Sequence, residues 1–177
     1  MALDYRSLDQ RTREFMAEEL KHDVSTRKLY ISPRLNREGS TAWPKLLDEA
    51  IAHKNDAWLA EAIRQQGLLN SHEERRTPSG GVTTAKVPAT APDTLAEGEF
   101  NRFYVRGLCA RAIHDRISQV EVYRARHSDH PRPESEALVG KRIDPTALLN
   151  DLRSSPGVEP ALGVPPGPNS GLSVFLP

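Results

Sequence analysis

The stretch that decides the fold is Ala91–Arg126, which reads APDTLAEGEFNRFYVRGLCARAIHDRISQVEVYRAR. Its apolar residues recur at intervals of three and four, the spacing that brings side chains to one face of an α-helix. We therefore predict a long central helix from about residue 92 to about residue 117. Its inner stripe comprises Phe100, Phe103, Tyr104, Gly107 and Leu108. The same periodicity places three arginines largely on the outer face, namely Arg102, Arg106 and Arg116.

After this helix the sequence predicts a small β element and one more helix. Residues Val120–Ala125 alternate between apolar and polar side chains, which is typical of a half-buried strand. The available partner is the segment Leu29–Ile31, so we expect a minor two-stranded β element. Asp144 followed by Pro145 has the form of a helix cap and a first helical residue, and it predicts a final helix.

The N-terminal lobe, residues 1–70, is expected to be helical. Ser7 and Gln10 have the spacing of a capping box and mark the start of the first helix. Pro44 suits the first position of a second helix, and Gly67 suits the end of a third. The second and third helices form an αα-hairpin. Its last helix offers only one cationic residue, which argues against a DNA-reading helix-turn-helix.

Proline and glycine divide the remainder of the chain, because they concentrate around residues 78–92 and 156–177. We therefore predict a mainly α protein with four parts: an N-terminal helical lobe at 1–70, a linker or arm at 71–90, a region at 91–155 containing the central helix, the strand and the C-terminal helix, and an extended Pro/Gly-rich C-terminal tail at 156–177. The tail nonetheless ends in apolar residues, including Leu172, Val174 and Phe175. We expect these to dock either onto their own domain or onto a neighbour.

Composition and charge limit the partners of the chain. Its 24 Lys and Arg residues balance 24 Asp and Glu residues, so bulk attraction to nucleic acid or to an anionic membrane is absent. Between Arg102 and Arg132, however, seven arginines stand against three acidic residues. The single cysteine excludes an internal disulfide, and no secretory signal or membrane-spanning apolar run is recognisable. We expect a cytoplasmic protein, or a component of a particle assembled in the cytoplasm, without a membrane partner.

No sequence motif indicates a catalytic or cofactor site. Cys109 falls inside the apolar helix, where a buried and inert thiol is expected. The segment His127–His130 offers imidazole and carboxylate ligands for a metal, but it lacks a third ligand, so a polar surface turn is the preferred interpretation. Glu97 and Glu99 point to different sides of a helix and do not form an acidic pair. We therefore expect no enzyme, no metal, no cofactor and no small-molecule ligand.

The remaining features predict a non-enzymatic structural or assembly protein. It would contact other protein subunits, identical or different, and a virion or another large particle is one setting that suits such a chain. The candidate partner-binding residues are Arg102, Arg106, Arg116, Arg124, Arg126, Leu172, Val174 and Phe175. The alternative is a nucleic-acid-binding accessory or regulatory protein that uses the basic stretch from Arg102 to Arg132. The sequence leaves open whether these arginines bind phosphate or acidic protein.

Overall fold

The computed structural model describes residues 3–127, 129–165 and 170–177. Within these ranges the chain is mainly helical, as the sequence predicts. The helices are α1 (Gln10–Ser25), α2 (Arg37–His53), α3 (Asp56–Gln65), α4 (Ala91–His114), α5 (Pro133–Glu136) and α6 (Pro145–Ser154). The strands are β1 (His72–Arg76), β2 (Val82–Lys86), β3 (Val120–Arg124), β4 (Arg142–Ile143) and β5 (Leu172–Phe175). None of the helices in the described ranges combines the length and the apolar character needed to cross a bilayer.

Helix α4 is the centre of the fold. Helices α1, α3 and α6 pack around it, and β5 also contacts it. Every residue from Glu99 to Cys109 is buried. Because neighbours cover three turns of α4 on all sides, the helix lacks the solvent-facing stripe that the sequence predicts there. The aromatic residues of α4 lie in the main hydrophobic cluster, as expected, but Arg102 and Arg106 are buried as well.

Helices α1 and α4 approach each other closely at Gly107. A Cβ atom at this position would lie 2.7 Å from the backbone nitrogen of Met16 and 2.9 Å from its Cα. Both separations are shorter than van der Waals contact, so only glycine allows the two helices to reach this distance. Met16 is itself fully buried. The close packing of the two helices therefore offsets the conformational cost of a glycine inside α4.

Strand β3 is the middle strand of a three-stranded antiparallel sheet, between β4 and β5. In the register of β3 and β5, Val122 lies opposite Val174. The predicted pairing of β3 with residues 29–31 is wrong. Leu29 instead donates its backbone N–H to the carbonyl of Asp23, at 3.2 Å, near the end of α1. That hydrogen bond ends helix α1. The strand that pairs with β3 on this side is β5 of the C-terminal tail.

The C-terminal tail docks onto its own domain through β5. Leu172 and Val174 have no exposed surface and belong to the main hydrophobic cluster. The side-chain amide of Asn101 on α4 donates a hydrogen bond to the carbonyl of Leu172 at 2.9 Å. The hydroxyl of Ser173 donates to Oδ1 of Asn101 at 2.6 Å. The end of the tail is therefore a strand of the fold, not a free extended arm.

Residues 71–90, predicted as a linker or arm, contain the antiparallel hairpin of β1 and β2. His72 pairs with Lys86 at the open end of the hairpin. In the turn, the hydroxyl of Thr77 accepts a hydrogen bond from the N–H of Gly81 at 3.0 Å. Most side chains of both strands are exposed. The sequence misses the hairpin because a strand without a buried face shows no apolar alternation.

Side-chain caps mark the first residues of α1, α2 and α6. Asp9, not Ser7, caps α1 by accepting a backbone N–H at 2.9 Å, so the predicted capping box is wrong. Asn36 caps α2, which places Pro44 inside this helix and not at its start. Asp144 caps α6, as predicted, by accepting a backbone N–H at 2.7 Å.

Candidate functional site

Arg106, predicted to face solvent, is buried in an ion-pair network between α1 and α4. Its side chain is 2% exposed. Its guanidinium donates to Glu19 at 2.8 and 3.0 Å and to Asp23 at 2.6 and 2.8 Å. Arg153 of α6 also donates to Glu19, at 3.0 Å. The prediction of an outer-face arginine is wrong here, because two carboxylates one turn apart on α1 supply the partners that a buried guanidinium requires.

Arg102 is also turned inward, so its predicted exposure is wrong as well. It is 8% exposed. Its guanidinium donates to the carbonyl of Leu152 at 3.0 Å and to that of Val158 at 3.3 Å, and it also contacts Ser155. The last carbonyls of a helix have no intrahelical partner. Arg102 therefore caps the C-terminus of α6 and fixes the segment that follows it.

The other three candidate arginines have different surroundings. Arg124 pairs with Glu136, and Arg126 pairs with Glu97. Arg116 is exposed, and it has no ion-pair partner in the described part of the chain. The arginine excess of the sequence therefore does not form one continuous basic surface. Most of these guanidinium groups satisfy carboxylates or carbonyls of the same molecule.

The apolar candidates of the tail are part of the sheet or lie at its margin. Leu172 and Val174 are enclosed in the core, which leaves them no surface to offer a partner. Phe175 is half-buried, and its ring meets the ring of Tyr123 edge-on with centroids 5.5 Å apart. The guanidinium of Arg6 lies 4.4 Å from the centroid of the Tyr123 ring and 5.1 Å from that of Phe175. Only Phe175 keeps a surface that another molecule could reach.

The predicted histidine segment and the thiol of Cys109 lie in opposite surroundings, the first exposed and the second buried. Nε2 of His127 lies 3.0 Å from Oδ1 of Asp129, and both side chains are 85% exposed; Ser128 lies outside the described residues. No group of three or more potential metal ligands occurs among the described histidines, cysteines and acids. Cys109 is fully buried, and burial raises the pKa of its thiol far above the ordinary value. A thiol held neutral in this way is a poor nucleophile.

The described residues also form a cleft of about 740 Å³, which we call the acidic cleft. It lies between β1, the N-terminal half of α4 and the segments around residues 30–34 and 152–165. Its charged lining consists of five glutamates and two arginines, namely Glu73, Glu74, Glu97, Glu99, Glu159, Arg34 and Arg102. The carboxylates of the lining outnumber its guanidinium groups, although Arg75 and Arg126, which lie outside the lining, pair with Glu73 and Glu97.

Ion pairs inside the lining hold its walls in place. Arg34 donates to Glu73 on β1, at 3.2 Å for Nη2 and at a shorter distance for Nε. This pair fixes the hairpin against the loop before α2. Glu97 is bound by Arg126, as described above. By contrast, Glu74, Glu99 and Glu159 have no ion-pair or hydrogen-bond partner among the described side chains.

Glu99 is the exceptional carboxyl of the acidic cleft. Its residue is only 7% exposed. Burial raises the pKa of Glu99 to about 7, although the nearby charges of Arg102 and Arg106 act in the opposite direction. A carboxyl of this kind changes its charge close to neutral pH and is stabilised in the charged form by any cation that reaches it.

Sequence reasoning missed this site for an identifiable reason. The spacing of Glu97 and Glu99 predicts different sides of α4 and therefore no acidic pair, yet both residues line the same wide cleft. The other walls come from segments that are distant in the sequence, so no local spacing could reveal the cleft.

Comparisons of the chain with protein-family models, with curated proteins and with solved structures each find no match.

Proposed function

We propose that this protein is a non-enzymatic assembly component that binds an extended segment of another protein subunit at the acidic cleft. The observation that carries the proposal is the cleft itself, a concave site of about 740 Å³ lined by five glutamates and two arginines. Its volume is that of a typical ligand site, which is about 300–1,000 Å³. The excess of carboxylates favours a segment that carries lysine or arginine.

The hairpin gives a reason to propose a polypeptide as the bound molecule. Strand β1 lines the cleft, and its only strand partner among the described residues is β2. Its other edge therefore carries backbone N–H and C=O groups that are not used in a sheet. An extended segment can add to such an edge through main-chain hydrogen bonds, while alternate side chains enter a neighbouring pocket. The acidic cleft would select a basic side chain from that segment.

This proposal keeps the assembly function expected from the sequence but moves the contact surface. Arg106 is buried, and Leu172 and Val174 are in the core, so these three have no surface for a partner, whereas Arg102 contributes only as part of the cleft wall. Arg116 and Phe175 keep accessible surface and stay candidates. A particle such as a virion stays a prediction about the setting. The nucleic-acid alternative also stays a prediction, and it is weakened by the internal use of most of the arginines.

The test is a selection of random peptides on the immobilised protein, followed by binding measurements on the enriched sequences. Enriched peptides should contain lysine or arginine. They should lose affinity at least tenfold for the double variant Glu74→Lys and Glu159→Lys, which reverses two exposed charges of the cleft. The matched control is Glu14→Lys with Glu49→Lys, two exposed positions on α1 and α2. The proposal fails if no peptide is enriched, or if enriched peptides bind the cleft variant and the control equally.

A further inference from the structure

Glu99 combines three properties that suit a binding site. It is more than nine-tenths buried, and its carboxyl group has no hydrogen-bond or ion-pair partner in the described part of the chain. It also lines the acidic cleft. Its oxygens are not sealed from solvent: the described side chains bury only three unsatisfied polar atoms, which are Tyr5 Oη, Asp56 Oδ1 and Arg111 Nε. The carboxyl group is therefore without a hydrogen-bond partner among the described residues and reachable from the cleft.

We infer that Glu99 is the point in the acidic cleft at which a cationic group of the ligand is held, as an ammonium or guanidinium ion bonded to the carboxylate. The inference rests on the proposed function in one respect, since the cation is then a lysine or arginine side chain of the bound segment. Burial of an unpaired carboxylate is costly, and a cation with N–H donors supplies both the missing charge and the missing hydrogen bonds. Such charge-assisted contacts are among the stronger ones in proteins.

The N–H donors of the arginines around Glu99 are used within the molecule, which favours a cation over an anion as the bound group. Arg106 is saturated by two carboxylates of α1, and both terminal nitrogens of Arg102 donate to carbonyls. Arg34 is bound to β1. An anion in the cleft would therefore find few free N–H donors. The titratable and charged groups that surround Glu99 or share the cleft with it are Arg102 and Arg106 on α4, Asp23 on α1, Arg153 on α6, and Tyr30, Arg34, His72, Glu73, Glu74, Glu97 and Glu159 in the cleft walls.

Cation binding at this position is coupled to proton release. The cation binds the ionised carboxylate, whereas the raised pKa keeps a large part of Glu99 protonated near neutral pH. Between pH 6 and pH 8 the ionised fraction of a carboxyl with a pKa of about 7 rises about tenfold. The affinity for the cation should therefore rise about tenfold across the same interval. An exposed carboxylate with an ordinary pKa would give no such change.

The experiment measures binding of small probes by NMR titration at pH 6, 7 and 8. The probes are Nα-acetyl-lysine amide, Nα-acetyl-arginine amide, the uncharged Nα-acetyl-norleucine amide, and the free diamine putrescine. Wild-type protein should bind the lysine or arginine amide about tenfold more tightly at pH 8 than at pH 6, and the norleucine amide at least tenfold more weakly than either. Glu99→Gln should lose at least tenfold affinity at pH 8 and its pH dependence, while Glu49→Gln behaves as wild type.

The outcomes separate this inference from the proposed function. If selected peptides bind but Glu99→Gln binds the amides as tightly as wild type, the Glu99 position is refuted and the proposed function stands. If no peptide is selected but the amides bind through Glu99, the position stands and the proposed function fails. Putrescine bound more tightly than both amides would identify a free amine as the ligand. Glu99→Asp keeps the charge and should retain a pH-dependent response, which guards against a purely structural effect of Glu99→Gln.

Discussion

Replacing Glu99 by glutamine should stabilise the folded protein near neutral and alkaline pH but leave it unchanged at pH 4.5. The pKa of Glu99 is raised from its ordinary value of 4.5 to about 7, chiefly by burial. The folded state therefore binds this proton more tightly than the unfolded state does. Wild-type stability from this group is fully present below pH 4.5 and is lost as the pH rises to about 7. Because glutamine cannot ionise, the variant keeps this contribution to stability at every pH.

The expected magnitude follows from the size of the shift. One pKa unit corresponds to about 1.4 kcal/mol, so a displacement from 4.5 to about 7 corresponds to about 3 kcal/mol. The difference in the free energy of unfolding between Glu99→Gln and wild type should therefore be near zero at pH 4.5. It should grow by about 1.4 kcal/mol per pH unit and level off at about 3 kcal/mol above pH 7. Other titrating groups are shared by both proteins and cancel in this difference.

Urea denaturation followed by circular dichroism at pH 4.5, 5.5, 6.5 and 8 gives the required free energies. Urea is preferable to guanidinium chloride, because the guanidinium ion could itself bind in the acidic cleft. The control variant is Glu49→Gln, an exposed position on α2, whose difference from wild type should not change with pH. A difference for Glu99→Gln that is constant from pH 4.5 to 8 would refute a buried, unpaired carboxyl at this position.

Three further variants and one control, Arg116→Ala, test the packing of α4, each by urea denaturation at pH 7. Arg106→Ala should destabilise by about 3–5 kcal/mol, because it leaves buried carboxylates of α1 without a cation; Arg116→Ala, at an exposed position, should stay within about 0.5 kcal/mol of wild type. Gly107→Ala should destabilise by about 1–3 kcal/mol despite the better helix propensity of alanine, because its Cβ would meet the backbone of Met16. Leu172→Ala should destabilise by about 2–5 kcal/mol and should lower the stability of the whole molecule cooperatively.

Each of these variants has an outcome that contradicts the structure. Equal stabilities of Arg106→Ala and Arg116→Ala would mean that the two arginines do not differ in burial. A stabilised Gly107→Ala would mean that α1 lies further from α4 than described. An unchanged Leu172→Ala would restore the tail as a free arm available to partners.

The apolar part of the fold was predictable because apolar periodicity reports burial directly. The aromatic spacing of α4 and the Asp144 cap are local signals, and the structure agrees with both. The segment predicted as a strand is β3, but Val122 and Tyr123 are both buried, so the strand is not half-buried in strict alternation. The arginines of α4 were not predictable in the same way. A polar residue in a helical pattern is exposed to solvent only when the interior offers its side chain no partner. The partners of Arg106 lie 83 and 87 residues away, which no local pattern shows.

The strand pairings failed for a different reason. An alternating segment such as β3 predicts a strand but does not name its neighbour, and several segments of the chain have similar apolar content. The segment near Leu29 resembles a strand in its sequence. Its backbone, however, forms a hydrogen bond that ends α1. The true neighbour, β5, lies about 50 residues downstream, at the end of a Pro/Gly-rich tail. Composition indicated an arm there, whereas the last apolar residues complete the sheet.

One wall of the acidic cleft depends on which acceptor groups bind the guanidinium of Arg102. Arg102 follows Glu99 by three residues, a spacing at which opposite charges on a helix commonly pair. Its guanidinium instead donates to Leu152 and Val158, where the carbonyl end of α6 carries partial negative charge. Carbonyl groups take up its hydrogen bonds, so Arg102 holds the wall of the cleft and Glu99 keeps a carboxyl without a side-chain hydrogen bond, although the charge of Arg102 still acts to lower its pKa. Because the N–H groups of Arg102 are used by these carbonyls, the carboxyl of Glu99 stays available for a cation from another molecule.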